Sequence, residues 1–122
     1  MTSRIDALLE AARARLRRLA AHEVPAALRR GAVLVDIRPQ AQRGAEGEVP
    51  GALVIERNVL EWRLDPSCPF HIPEVTSPHM RVVLVCNEGF GSSLAAATLR
   101  RLGLSRATDL VGGFAAWREL VG

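Results

Sequence analysis

Lysine is missing from this 122-residue chain: all 16 of its basic side chains are arginines. With a net charge of only +3 and the arginines scattered, the bias reflects the codon usage of a high-GC genome rather than a binding task. Only Arg13 to Arg18 form an acid-free cluster, which reads as a solvated helix face. Aromatic residues are just 4% of the chain, so a basic nucleic-acid footprint would lack its stacking partners, and no nucleic-acid partner is expected. Two cysteines cannot build a disulfide framework, so the thiols are expected to be reduced and at least one of them chemical. No apolar run approaches the roughly 20 residues of a membrane span, and the first residues are mixed and charged, unlike a secretion signal. The expectation is a cytoplasmic protein with no membrane partner. His22, His71 and His79 lie far apart, and neither a Cys-x-x-Cys nor a His-x-x-x-His pair occurs, so neither metal nor cofactor is expected.

What is present suits one cored domain, since 48% of the residues are hydrophobic and the length is too short for two. Ser3-Arg-Ile-Asp6 has the form of a capping box. Ile5, Leu8, Leu9, Ala12, Leu16 and Leu19 then recur at helical spacing, which predicts an amphipathic helix over about Ser3 to Ala20. A short helix is expected from Val24 to Arg30, entered through Pro25 and stopped at Gly31. Ala32 to Ile37 and Arg81 to Val85 are nearly continuous apolar runs, the pattern of strands buried on both faces of a parallel sheet. Further strands are read at Ala52 to Ile55 and Ala107 to Val111, and further helices at Asn58 to Leu64, Leu94 to Leu104 and Phe114 to Val121. Pro39 to Glu48 reads as loop with room for one helical turn, and the stretch from Asp65 to Pro78, with its four prolines, as a surface connection. Strands alternating with helices predict an α/β domain with a mostly parallel sheet, which binds ligands at the carboxyl ends of its strands.

Cys86 sits at such an end. It closes the Arg81 to Val85 run and opens Cys86-Asn-Glu-Gly-Phe-Gly-Ser-Ser93, where Gly89 and Gly91 permit a tight curl before a helix whose first amides lack partners. A thiolate there is favoured by amide donors and the helix dipole, the setting of a nucleophile rather than of an inert core cysteine. Ser92 and Ser93 are expected to cap the helix, with the Ser92 hydroxyl also within reach of the sulfur. Glu88 is expected to face solvent, because a carboxylate beside the sulfur would oppose its charge. Phe90 either packs down or stands at the pocket mouth. Trp62 and Trp117 read as core or edge packing. Cys68, in the proline-rich connection, has no motif around it and reads as incidental rather than as a resolving thiol.

Four ordered motifs add to this reading: Leu34-Val-Asp-Ile-Arg38, Gly47-Glu-Val-Pro-Gly-Ala52, Val82-Val-Leu-Val-Cys86 with its glycine loop, and Leu110-Val-Gly-Gly-Phe-Ala-Ala-Trp117. Together they resemble the signatures of rhodanese-like domains over about residues 22 to 120. The resemblance implies a three-layer α/β domain over residues 22–122, with a central mostly parallel sheet flanked by helices. Residues 1–21 then form an extra N-terminal helical extension. It also implies sulfur transfer, in which Cys86 takes sulfane sulfur from a small donor as a persulfide and passes it to a thiol, cyanide or protein acceptor. Asn87, Glu88, Gly89, Phe90, Gly91 and Ser92 would form the cradle. Asp36 and Arg38 would lie on the same side of the sheet as Cys86, as a structural ion pair.

Three departures shape the functional expectation. The place five residues after the cysteine, commonly arginine in the family, is Gly91; the usual histidine of the second motif is Glu48; and a long helix precedes the domain. Without the loop guanidinium, thiosulfate is not expected to be the physiological donor, and Arg57 is nominated to supply the missing charge, with Arg63 in the same connection. A single-domain sulfurtransferase or persulfide carrier is the leading function. The alternative is a catalytically weak binding or regulatory module. A cysteine phosphatase or arsenate reductase would need a guanidinium between Asn87 and Thr98, and none is there.

Overall fold

The two most apolar stretches lie side by side at the centre of the structure, a computed structural model that describes residues 2–121. Strand β1 (Val33–Asp36) pairs in parallel with β3 (Val82–Val85) over four residues, from Val33 against Val82 to Asp36 against Val85. Two-residue strands extend the sheet on either side. Leu53–Val54 (β2) lies beside β1 and Thr108–Asp109 (β4) beside β3, giving four parallel strands in the order β2-β1-β3-β4. Long apolar runs take the middle because both of their faces are covered; the two-residue strands take the edges.

Alternation along these strands feeds two cores. Val35, Val82 and Leu84 point to one face, where Leu60 and Leu64 of α4 (Leu60–Leu64) and Ala95, Ala96 and Leu99 of α5 (Gly91–Arg101) cover them. Leu34, Val83 and Val85 point to the other, against Val24 and Ala27 of α2 (Val24–Arg29) and Phe114 of α6 (Gly113–Val121). The result is the expected helix, sheet, helix layering. Val35, Val83 and Leu84 are buried as the strand reading requires, whereas Val33, the first residue of β1, is only half-buried at the sheet's lower end.

Several boundaries differ from the sequence reading, each for a local reason. The first helix, α1 (Arg4–Arg13), is capped by the Ser3 hydroxyl, which accepts from the Asp6 amide at 3.1 Å, but it ends well before Ala20. The chain must leave it so that Leu19 can run beside β4: the Leu19 amide donates to the Asp109 carbonyl at 3.0 Å, and the Val111 amide to the Leu19 carbonyl at 2.8 Å. Leu16 and Leu19 keep helical spacing yet lie in this extended stretch, Leu16 half-buried and Leu19 buried. The loop expected after Pro39 contains the seven-residue helix α3 (Gln40–Glu46). Trp62, expected to pack, is 58% exposed, because Leu60 and Leu64, one turn apart, take the inward face of α4. Trp117 does pack, stacking on Phe114 with ring centroids 5.7 Å apart. No helix among the described residues is long and apolar enough to cross a membrane. Since α1 lies exposed against α5, Ser3→Ala is expected to cost about 1 kcal/mol, read as a small drop in the denaturation midpoint with the Cys86 site unaffected.

Candidate active site

Cys86 follows the last residue of β3 and is half-buried at the carboxyl edge of the sheet. The chain curls around its sulfur. The Gly89 amide donates to Sγ at 3.1 Å and the Ser92 amide at 3.4 Å. Among the loop residues, the amides of Asn87, Glu88, Phe90 and Gly91 have no acceptor within the protein. Gly89 adopts φ +87°, and a Cβ there would lie 2.8 Å from the Gly112 amide nitrogen, so only glycine fits.

The serines behave differently from caps. Helix α5 begins at Gly91, with Phe90 in the N-cap position, which places Ser92 and Ser93 inside the first turn and fully buried. Their hydroxyls are drawn to a carboxylate that sequence reasoning passed over: Asp109, the last residue of β4, accepts from Ser92 Oγ at 2.7 Å and from Ser93 Oγ at 2.8 Å. Ser92 Oγ also lies 3.2 Å from Sγ, so the expected reach to the sulfur is made from a side chain anchored at its other end.

The N-terminal segment reaches the same place. Arg18 Nε and Nη2 donate to Asp109 at 2.9 and 3.2 Å, and Arg18 Nη2 also to the Gly89 carbonyl at 3.1 Å. Arg13 donates through Nη2 to that carbonyl at 2.7 Å and through Nε to Ser93 Oγ at 3.1 Å, with its guanidinium 5.6 Å from the centre of the Phe90 ring. The Gly89 carbonyl is thus bound on one side by two guanidinium groups while its residue's amide faces the sulfur. Arg13 and Arg18, read from sequence as a solvated face, had no local signal, for their partners lie more than 70 residues away.

Arg57, nominated for this charge, is not brought to the loop. Its Nη1 donates to both Glu61 carboxylate oxygens, at 2.8 and 2.9 Å, in an exposed pair within one helical turn. Arg63 donates to the Phe70 carbonyl. Glu88 is exposed, as its charge requires, and Phe90 stands out at the mouth, 55% exposed. Asn87 contributes backbone: its carbonyl accepts from the Ala115 amide at 3.0 Å, and the Cys86 carbonyl from the Phe114 amide at 2.8 Å. The start of α6 thereby pins the base of the loop. Cys68 is a free thiol in the proline-rich connection, its sulfur 3.5 Å from the Phe70 amide.

Asp36 and Arg38 support the site from below. Both are buried, and they share a two-pronged ion pair, with Arg38 Nη2 to Asp36 Oδ2 at 2.7 Å and Nε to Oδ1 at 3.0 Å. Arg38 Nη2 also binds the Gly47 carbonyl at 2.8 Å, and its guanidinium lies 4.0 Å from the centre of the Phe114 ring. The pair therefore joins the end of β1, the Gly47 turn and the start of α6, a bracing role at one remove from Cys86. Among the described residues, no group of three or more His, Cys, Asp or Glu side chains could hold a metal.

A parallel α/β sheet whose central strand ends in a cysteine cradled by backbone amides defines the class, and a family model agrees. The rhodanese-like domain model matches residues 20–120, and the chain belongs to that family. Among solved structures it is similar to a Rhodopseudomonas palustris protein of unknown function described as a possible tyrosine phosphatase. The two share 31% identity over 100% of this chain and 94% of that one, with a TM-score of 0.86. It is also similar to the human single-domain sulfurtransferase, with 28% identity over 84% of this chain and 95% of that one and a TM-score of 0.70. A rhodanese-like domain from Anabaena, 21% identical over 86% of this chain and 75% of that one, shares the fold at a TM-score of 0.68. No curated protein matches the chain.

Proposed function

We propose that the protein is a sulfurtransferase or persulfide carrier in which Cys86 takes up and delivers one sulfane sulfur. The observation that carries this reading is the cradle. Two amides meet Sγ, and four more in the same loop are unpartnered, a donor set suited to the terminal sulfur anion of a persulfide. In loading, the Cys86 thiolate attacks the donor's outer sulfur; the new S–S bond forms as the donor's own bond to that sulfur breaks, and the donor remnant leaves with the electron pair. In unloading, a thiolate or cyanide acceptor attacks the terminal sulfur, and Cys86 departs as thiolate. No step requires a cofactor or metal.

The phosphatase label of the Rhodopseudomonas relative raises a second reading, which the loop disfavours. A phosphate ester needs a guanidinium aimed at its oxygens. Here the fifth residue after the cysteine is Gly91, while Arg13 and Arg18 are engaged by the Gly89 carbonyl, Ser93 and Asp109. A weak binding module remains the alternative within the family. Intact-mass measurement after incubation with thiosulfate, polysulfide and an organic persulfide decides. We expect one added sulfur on the wild type with at least one donor and none on Cys86→Ser; no uptake from any donor would leave the binding-module reading.

A further inference from the structure

We propose that Arg18 and Asp109 form a positioning pair for this site. Arg18 neutralises a buried carboxylate two hydrogen bonds from the sulfur, and so frees Ser92 to turn its hydroxyl toward Cys86 when the sulfur is anionic. The inference rests on the sulfur-carrier reading for its purpose, but its geometry stands apart from it.

The argument turns on one hydrogen atom. Ser92 Oγ lies 2.7 Å from Asp109 Oδ2 and 3.2 Å from Cys86 Sγ, and a hydroxyl has a single proton to donate. In the resting thiol the S–H donates to Ser92, and Ser92 donates to Asp109. Once the thiol proton has left to solvent, the sulfur can only accept, as can the terminal sulfur of a persulfide. Ser92 then satisfies it only by releasing Asp109. That carboxylate is fully buried, so release is costly unless other donors remain. They do: Ser93 Oγ at 2.8 Å and Arg18 Nε at 2.9 Å.

Charge adds to geometry. A buried, unpaired carboxylate beside the sulfur would oppose a second negative charge there, and pairing with Arg18 removes that opposition. Arg13 cannot substitute, since its guanidinium binds the Gly89 carbonyl and Ser93 rather than Asp109. Among the described residues Arg18 is the cation paired with Asp109. It precedes residue 20, where the family model begins, so the assignment gives the N-terminal segment a part in the chemistry that the domain alone does not supply.

The test measures alkylation of Cys86 at pH 7 by iodoacetamide, a neutral reagent, with peptide-resolved mass spectrometry to count Cys68 separately. Arg18→Gln keeps the side chain's stem but not its charge, and should slow alkylation about tenfold. Arg18→Lys should fall between wild type and Arg18→Gln, because the charge survives but the two-pronged grip on Asp109 does not. Asp109→Asn should react at or above the wild-type rate, and adding it to Arg18→Gln should restore most of the loss. A double variant as slow as Arg18→Gln, or a slow Asp109→Asn, would overturn the proposal and leave the pair as scaffold. If Arg18→Gln does not fold, Asp109→Asn is read together with its denaturation midpoint: reaction at or above the wild-type rate with the fold intact supports the pair, and a folded variant that reacts more slowly overturns it. Sulfur uptake is followed in parallel by mass. Wild type that loads no sulfur but shows this alkylation pattern removes the carrier reading alone, and normal loading with a slow double variant removes the positioning pair alone.

Discussion

Gly113→Ala is expected to cost about 2 to 5 kcal/mol of stability, because it combines a strained backbone with overlap against immovable atoms. Gly113 has φ +59°, and a Cβ there would overlap the Cys86 carbonyl oxygen and lie 2.8 Å from both the Asn87 carbonyl carbon and the Gly89 amide nitrogen. All three atoms are backbone of the curl around the sulfur. The loop and α6 must therefore separate, which weakens the bond from the Phe114 amide to the Cys86 carbonyl and moves the Gly89 amide off Sγ. A displacement near 1 Å at reacting atoms can lower the rate about a hundredfold, so sulfur transfer should fall more than stability alone accounts for. Gly103→Ala is the control. Its φ is +97°, but nothing lies within 4 Å of its Cβ position, so it should pay backbone strain alone and leave Cys86 reactivity intact. Denaturant unfolding together with Cys86 alkylation separates the two. Equal behaviour of both variants would mean that the loop is not seated on α6 as described.

The sequence announces those parts of the molecule whose cause is local. The apolar runs of β1 and β3 specify central parallel strands by composition alone, and Gly112-Gly113 marks a turn that admits no Cβ. Asp36 and Arg38, two residues apart on a buried strand end, are legible as a pair for the same reason. Causes that join distant segments leave no such trace. Asp109 belongs to a two-residue edge strand, and nothing near it predicts that Ser92, Ser93 and Arg18 converge on it. Arginine spacing between positions 13 and 18 suits a solvated helix equally well, and Arg15 and Arg17 are exposed; Arg18 is drawn in where the chain leaves α1 to pair Leu19 with Leu110. The early start of α5 has the same origin. Gly91, Ser92 and Ser93 are modest helix formers, but burying both hydroxyls against Asp109 carries the helix back to the loop. Arg57 follows β2 closely enough in sequence to suggest the sheet edge, but Glu61, four residues later in α4, claims its guanidinium instead.

Restoring the loop charge should change donor preference more than any other single substitution. Gly91→Arg is expected to raise kcat/KM for thiosulfate about ten- to a hundredfold, since each charge-assisted hydrogen bond to a partly desolvated anion contributes about 1.5 to 3 kcal/mol. The backbone permits it: Gly91 is the first residue of α5, is absent from the positive-φ glycines, and has nothing within 4 Å of its Cβ position. A guanidinium there would extend beside the unpartnered amides of the loop, where sulfonate oxygens of the donor would lie. A neutral organic polysulfide offers no such charge, and its use should change little. The exposed Glu88 carboxylate could capture the new arginine, so Glu88→Gln combined with Gly91→Arg isolates the effect on the donor. Arg57→Ala should leave both donors unaffected, because that side chain is held by Glu61. Steady-state rates with thiosulfate and with the polysulfide, across wild type and these variants, provide the comparison. Fast thiosulfate turnover in the wild type, unchanged by Gly91→Arg, would show that the amides bind the dianion without help, and that arginine at this place in the loop is dispensable for it.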